Sequence, residues 1–375
     1  SGGRVLVAAG DDAVYRAGEL LRAAKPASVT GFGISAACRD SLERELGVTV
    51  AVTDTLDCGE KFDDIFLCNL TGAKAEAAAR LADRGAVISF IGNYTGTSGS
   101  FDVGRIHYEG FFFQGAPGME LSAAYGRNVR SAVKAGGCCW LPGGAGAMGQ
   151  MHTQLAVENP NGPKRILVSD MDSARIANVE RQLGDAIRWR GVEFKAVNPS
   201  ELSPEEFDRV LREFAPEGFD DIIMLVPVVP VLCHAAGYLG EDGLMNIFAG
   251  IPAGKEGVLS IDGIVNHGHR YIGSSGSRTE HLRHTLLLAE QGKLKPVTAL
   301  AAIGGMNELK HGLQAVIDAK FPGKTVILPN CPDMPLVPIS ELASLSPGIA
   351  ATLDCSGHYS VATEAELNAR YGAGK

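Results

Sequence analysis

The string Gly144-Ala145-Gly146-Ala147-Met148-Gly149 lies between an apolar run, Cys138-Cys139-Trp140-Leu141, and an apolar helical stretch from Gln150 to Val157. A second apolar run, Arg165 to Ser169, ends at Asp170, 21 residues after Gly149. Strand, glycines, helix, strand and acid in that order are the parts of a dinucleotide site. Gly144 is expected to permit the tight turn, Gly146 to let backbone approach a pyrophosphate, and Gly149 to let helix and strand pack closely. The helix N-terminus then turns unpaired N–H groups toward the phosphates. Asp170 can accept from both hydroxyls of an adenosine ribose and would repel a 2′-phosphate, so the cofactor expected is NAD; the nearest following arginine is Arg175. Gly144, Gly146, Met148, Gly149, Asp170 and Arg175 are therefore assigned to cofactor binding.

The elements that must position these residues occur twice. At an offset of 137, Pro26, Ala37, Glu43, Arg44, Leu46 and Gly47 fall on Pro163, Ala174, Glu180, Arg181, Leu183 and Gly184. Phe62-Asp63-Asp64-Ile65 returns as Phe219-Asp220-Asp221-Ile222, and at an offset of 158 glycines 85, 92, 96, 110, 115 and 118 return at 243, 250, 254, 268, 273 and 276. One register kept through so many elements points to a duplicated unit with a single insertion between Gly184 and Phe219. The first copy lacks the phosphate equipment: Ala9-Gly10-Asp11-Asp12-Ala13-Val14 has one glycine and two acids, and Gly33 stands opposite Asp170. Two carboxylates at the start of a helix over 12–24 would cap it and repel an anion. One dinucleotide per chain is expected.

Alternating strand and helix patterns predict an α/β protein with two doubly wound Rossmann-like domains in tandem and a C-terminal extension. The expected division is 1–118 for the degenerate domain, 119–136 for a connecting helix, 137–290 for the NAD-binding domain, and 291–375 for a segment that returns over the others. The matching strands 111–115 and 270–273 are expected to pair edge to edge, since an open apolar edge must be paired or covered. Hydrophobic residues at 45% and charged ones at 21% describe an ordinary soluble protein, and a net charge of -9 argues against a nucleic-acid partner. The most apolar stretch, Ile222 to Cys233, is broken by Pro227 and Pro230 and is too short to span a membrane. The start, Ser1-Gly2-Gly3-Arg4, has no apolar core and reads as lacking a signal peptide. Eight cysteines in 375 residues do not suggest a disulfide framework, so the expected setting is the cytoplasm.

The strings Gly144 to Gly149, Ile166-Leu-Val-Ser-Asp170, Phe219-Asp-Asp-Ile222, Phe248-Ala-Gly250 and Tyr271-Ile-Gly-Ser-Ser-Gly-Ser277 resemble the coenzyme domain of medium-chain dehydrogenases. Within them the zinc-type alcohol and sugar-alcohol dehydrogenases are most similar, L-sorbose-1-phosphate reductases especially. Ile303-Gly-Gly-Met306 and Phe321-Pro-Gly-Lys-Thr-Val-Ile327 are similar to their closing segment. The resemblance covers roughly residues 137 to 345. It implies that Val226 and Pro227 border the nicotinamide and adds Gly250 and Ser274 to the cofactor residues. The chain departs from the family before residue 138, where His107 is the only histidine and no Gly-His-Glu string occurs. A catalytic zinc needs three protein ligands around an open position, and no recognisable set is present, so no metal is expected.

Other patterns offer chemistry less directly. His267-x-His269, His281-x-x-His284 and Cys355-x-x-His358 each supply two ligands, a number that chance pairs among nine histidines also supply. Cys138-Cys139 sits where small apolar residues pack. His234, after the proline loop, and His152, in the first turn after Gly149, are the acid/base candidates. The expected function is an NAD-dependent oxidoreductase acting without zinc on a small polyol, sugar or sugar phosphate, or hydroxy acid. The alternatives are an NAD-binding structural or regulatory subunit, or a dehydrogenase module whose catalytic domain lies on another chain; assembly as a homo-oligomer or with such a partner chain stays open.

Overall fold

The fold is described from a computed structural model covering residues 2–57, 59–126, 130, 132–273, 275–354 and 357–373. It forms two compact units. The first comprises Ser1–Pro142, Pro163–Leu167 and Ser203–Gly276; the second comprises Gly143–Gly162, Val168–Leu202 and Ser277–Lys375.

The first copy runs β1 (Arg4–Ala9), α1 (Glu19–Ala24), β2 (Ser28–Phe32), α2 (Ala36–Leu46), β3 (Val50–Thr53), β4 (Phe62–Cys68), α3 (Gly72–Ala79), β5 (Ala82–Ile91), β6 (Ser98–Asp102), α4 (Val103–Glu109) and β7 (Phe112–Ala116). The second runs β8 (Cys138–Pro142), α5 (Gly149–Glu158), β9 (Arg165–Ser169), α6 (Ser173–Arg190), β10 (Glu193–Val197), α7 (Pro204–Phe214), β11 (Phe219–Met224), α8 (Val229–Ala236), β12 (Leu239–Ile247), β13 (Glu256–Ser260), α9 (Ile261–Asn266) and β14 (Arg270–Gly273). Then follow α10 (Thr279–Glu290), β15 (Leu300–Gly305), α11 (Leu309–Ile317), β16 (Lys324–Leu328), β17 (Val337–Pro338), α12 (Pro347–Thr352) and α13 (Val361–Tyr371). Local signals explain several boundaries. Ser35 caps α2 through the Cys38 amide, and Gly47 ends it in the left-handed region. The inserted α7 opens on Ser203 and Glu206 in a reciprocal capping box, with Pro204 in the first turn.

The fold is α/β. In the first unit the strand order is β8-β11-β12-β14-β7-β5-β4-β1-β2-β3. Neighbours are parallel except at the centre, where β14 and β7, the edges expected to pair, run antiparallel. The order β1-β4-β5-β7 on one side is repeated by β8-β11-β12-β14 on the other. The register is more telling. Phe113 pairs with Tyr271 across this seam, and Ser100 pairs with Val258 in the separate antiparallel ribbon of β6 and β13. Each pair is related by the offset of 158 found in the sequence, as a two-fold axis through both pairs requires, since only a residue on the axis meets its own equivalent. One hydrophobic core passes under the seam, with Phe90, Phe101 and Phe113 from the first copy and Ile264 and Tyr271 from the second. Phe113 stacks edge-on to Phe101 at 5.3 Å.

The repeated Phe-Asp-Asp-Ile strings do structural work. Asp63 accepts from the Arg4 amide at 2.8 Å, and Asp220 accepts from the Cys138 amide at 2.8 Å, so each holds the start of the strand beside it. Asp64 accepts from the Tyr125 hydroxyl at 2.6 Å; Asp221 accepts from the Lys134 amide at 2.7 Å and pairs with Arg130. Both second acids thus fasten the segment between the copies.

Two expected helices differ. That segment is not the helix expected over 119–136: a 3-10 helix, Leu121–Gly126, gives way to irregular backbone at 132–137, where the Gly126 break and the Gly136-Gly137 pair disfavour continuation. The helix expected over 12–24 begins only at Glu19, so Asp11 and Asp12 are not its cap. Asp11 instead accepts from Asn69 Nδ2 at 2.7 Å, the Tyr15 hydroxyl at 3.0 Å and the Ala13 amide at 3.3 Å.

In the second unit β15 pairs with β16 in parallel and with β17 antiparallel. Its core gathers Ile303, Cys331, Met334, Leu342, Ile349 and Leu367, so the proline-rich end of the chain folds back on β15. No helix among the described residues is long and apolar enough to cross a membrane.

Candidate functional site

The glycine turn lies in the second unit. Its left-handed residue is Gly143 (φ 79°), not Gly144, which corrects the expected position of the tight turn by one residue. Two adjacent glycines make either placement sterically open; the Gly143 amide settles it by donating to Ser169 O at 2.7 Å. Gly146 N–H donates to Gly143 O at 3.1 Å, and Gln150 N–H to Gly146 O at 2.8 Å. Thr153 Oγ1 and Gln150 Nε2 donate to the carbonyls of Gly144 and Ala145 at 2.8 and 2.9 Å. These carbonyls are drawn back into α5, which keeps their negative ends from an incoming anion. No side chain caps α5 at Met148, and of its first-turn N–H groups that of Gln150 is the one given to Gly146 O.

A Cβ on Gly149 would lie 2.0 Å from Gly143 O and 2.7 Å from Gly144, so only glycine permits this helix start. The close approach is to the turn itself rather than to the neighbouring strand. A Cβ on Gly146 would lie 3.3 Å from Gly143 O and 3.9 Å from Asp170 Oδ2. Gly146 and Asp170 thus face one another across a gap that a side chain would begin to fill.

Asp170 stands just past β9, its amide donating to Val197 O at 3.1 Å. The half-buried carboxylate accepts from the Asp172 amide at 3.2 Å; burial raises its pKa, and that hydrogen bond works against the rise. Asp172 caps α6 through the Ala174 and Arg175 amides and pairs with Arg175 Nε at 3.3 Å. Arg175 therefore has an acidic partner of its own. Gln150, a residue sequence reasoning passed over, binds Pro322 O and accepts from Asn178 Nδ2 at 3.3 Å, tying α5 to α6. Its place directly after Gly149 was the available signal. His152 donates Nδ1–H to Met148 O at 2.9 Å, and burial lowers its pKa, so the ring is neutral near pH 7. Met148 is exposed, with its sulfur 3.6 Å from Lys324 Nζ.

The other expected residues lie in the first unit. Val226 and Pro227 follow β11, where the Leu225 amide donates to Pro142 O at 3.1 Å. Phe248 and Ala249 amides donate to Met224 O at 3.1 and 2.8 Å, turning the chain at the end of β12. Gly250 is exposed there, and its Cβ would lie 3.0 Å from the Tyr108 hydroxyl. His234 Nε2 is bound to Asp208 Oδ1 at 2.8 Å, and its ring lies against Phe207, so the imidazole links α8 to α7. Ser274 and Cys355 lie outside the described residues.

Among the described residues no three His, Cys, Asp or Glu side chains are placed to hold a metal. His267 is bound to Glu241 and His281 to the Arg278 amide, while Cys138 and Cys139 are buried. Burial pushes the Cys139 thiol well up.

The chain is similar in sequence to curated proteins named as sugar-phosphate oxidoreductases. It is 32% identical over 218 residues to a mannitol-1-phosphate 5-dehydrogenase of Aliivibrio fischeri, covering 57% of this chain and 50% of that one. It is 27% identical over 217 residues to an L-sorbose 1-phosphate reductase of Klebsiella pneumoniae, covering 56% and 49%. An alcohol dehydrogenase structure from Thermotoga maritima aligns over 53% of this chain and 52% of its own, with 16% identity and a TM-score of 0.44. The chain spans about half the length of the curated relatives it matches. No protein-family model matches it.

Proposed function

We propose that this chain is an NAD(H)-dependent oxidoreductase of a small polyol, sugar phosphate or hydroxy acid that works without catalytic zinc, with one dinucleotide bound per chain in its second copy. The observation that carries the reading is the gap between Gly146 and Asp170, bounded by the uncapped start of α5. A pyrophosphate fits the N–H groups of that turn, and the adenosine ribose fits the Asp170 carboxylate. Bound NAD(H) would supply the hydride donor or acceptor. The relatives' names support the sugar-phosphate class, since both act on hexitol or hexulose 1-phosphates by name.

The first copy differs in its residues: Asp11 follows Gly10 and is held by Asn69 and Tyr15, and Gly33 stands where the second copy has Asp170. Against NADP(H), the 2′-phosphate would face Asp170. Like charges about 4 Å apart repel by roughly 1 to 4 kcal/mol, about 5- to 1000-fold in affinity.

Calorimetry tests these points together. Expected are one equivalent of NADH, weaker NADPH, and loss of that preference in Asp170→Ala. Two equivalents, or NADPH binding as tightly as NADH, would refute the assignment. A second reading, a dinucleotide-binding module whose catalytic domain is carried by another chain, is favoured by the match to only about half the length of the curated relatives. Hydride transfer from mannitol 1-phosphate to NAD, with release of a proton, by the chain alone supports the first reading; NADH binding without turnover across a panel of polyols, sugar phosphates and hydroxy acids supports the second.

A further inference from the structure

We propose that the second unit carries a further small-molecule site, a cleft that takes a neutral, hydroxyl-rich ligand such as an acyclic polyol and is distinct from the glycine turn. The cleft encloses about 170 Å³, of the order of the roughly 150 Å³ that holds one benzene-sized guest. It is lined at the start of β15 by Leu300 and just before β16 by Pro322. These are amino ends of strands, whereas coenzymes of α/β sheets sit outside the carboxyl ends.

The two walls differ in chemistry. One is the face of α6 that bears Asn178, Arg181, Gln182 and Asp185, spaced by three and four residues so that they share one side of the helix. The other carries Leu300, Pro322, Pro338 and Ile339, with Thr298 and Ser340 among them. A polyol has the same division, with hydroxyls along its edges and C–H surface between them.

The charges on α6 select against an anion. Among the described residues the Arg181 guanidinium is held by Asn178 Oδ1 at 2.6 Å and by no carboxylate, which leaves N–H donors for a ligand. Asp185, one turn on, pairs with Arg188 and offers its carboxylate to the same cleft. A phosphate attracted by Arg181 would be opposed by Asp185. A hydroxyl both donates and accepts, so a neutral polyol uses both residues at once. Gln182 is set in advance: its Oε1 takes His358 Nε2 at 2.6 Å, leaving its amide N–H groups as donors, and His358 is steadied by Asp354 at 3.3 Å. Groups already held in place lose less freedom on binding.

The test is saturation-transfer NMR on the full chain with D-sorbitol as the probe and inorganic phosphate in parallel. No dinucleotide is added, so the result does not depend on the NAD reading. Saturable sorbitol binding is expected, weakened at least fivefold by Arg181→Ala and by Asp185→Ala, both exposed positions whose replacement should leave the melting temperature unchanged. Absence of saturable binding, weakening by fewer than both substitutions, or phosphate binding as tight as that of sorbitol would overturn the proposal.

Discussion

Replacing Phe112 by lysine tests whether the antiparallel seam holds the first unit together. Phe112 pairs with Ile272 across the seam, and the Arg270 guanidinium lies 5.9 Å from its ring centroid. Arg270 is 2% exposed, hydrogen-bonded to Gln114 Oε1 at 3.3 Å, which Ser89 in turn contacts. Lysine removes a cation–π contact worth about 0.5 to 2 kcal/mol. It also sets a second cation near the first. At about 6 Å and an effective dielectric near 20, that repulsion is about 3 kcal/mol, reduced to the extent that the lysine stem reaches toward solvent.

The expected loss is therefore about 3 to 5 kcal/mol for Phe112→Lys, against about 1 kcal/mol for Phe112→Leu, which keeps apolar contact and adds no charge. Urea unfolding followed by tryptophan fluorescence reads this directly, because Trp140 is buried in the same unit. The other tryptophan, Trp189, is 85% exposed and in the second unit, and a Trp189→Phe background removes its signal. The seam reasoning fails if the lysine variant is no less stable than the leucine variant, or if either copy unfolds alone at the wild-type midpoint.

Three further outcomes follow from particular distances and burials. Gly149→Ala should destabilise the chain by about 1 to 3 kcal/mol and abolish NADH binding, since its Cβ would sit 2.0 Å from Gly143 O. Gly146→Ala should leave the melting temperature within about a degree of wild type yet weaken NADH at least tenfold, because its Cβ meets nothing closer than 3.3 Å but enters the gap toward Asp170; undiminished NADH binding would remove the turn as a pyrophosphate cradle. Burial, reinforced by His267, lowers the His269 pKa from 6.5 to about 4, against the pull of Glu241, Asp262 and Asp242. The folded state thus favours the neutral ring: its contribution is full above pH 6.5 and is lost as pH falls toward 4, roughly 2 to 4 kcal/mol in all, and His269→Gln should flatten that part of the pH–stability curve.

The parts of this fold that were legible in sequence are those in which a residue type has one structural use. The order of glycines, helix, strand and Asp170 marked the turn, and the matched apolar edges marked the seam. Which glycine takes the left-handed conformation was not legible, because Gly143 and Gly144 are sterically equivalent and the hydrogen bond that the Gly143 amide donates to Ser169 O chooses between them. The ribbon of β6 and β13 was hidden as well. Ser98-Gly99-Ser100-Phe101-Asp102 has little strand propensity, and it is held as a strand by pairing with its equivalent in the other copy. Asp11 misled for a related reason: an acid after a strand suits a helix cap, but here Asn69 and Tyr15, distant or lateral in sequence, claim its carboxylate.

The two-fold register also bears on why a copy without the glycine string of residues 144–149 is retained. A single copy would end on β14, a short strand carrying Tyr271 and Ile272 with no neighbour on one side. In this chain β7 covers that edge, and Phe90, Phe101 and Phe113 complete the core beneath it. The ribbon adds a second closure, fastened at its ends by Asp102 accepting from the Gly254 amide at 2.7 Å and Asp262 accepting from the Gly96 amide at 3.1 Å. None of these contacts needs a nucleotide in the first copy. Loss of its glycines therefore leaves the seam intact, whereas loss of Phe113 or Tyr271 would open the core of both copies at once. That asymmetry matches the sequence, in which Asp11 and Asp12 follow Gly10 and Gly33 stands opposite Asp170 while the glycine spacing from 85 to 118 is kept.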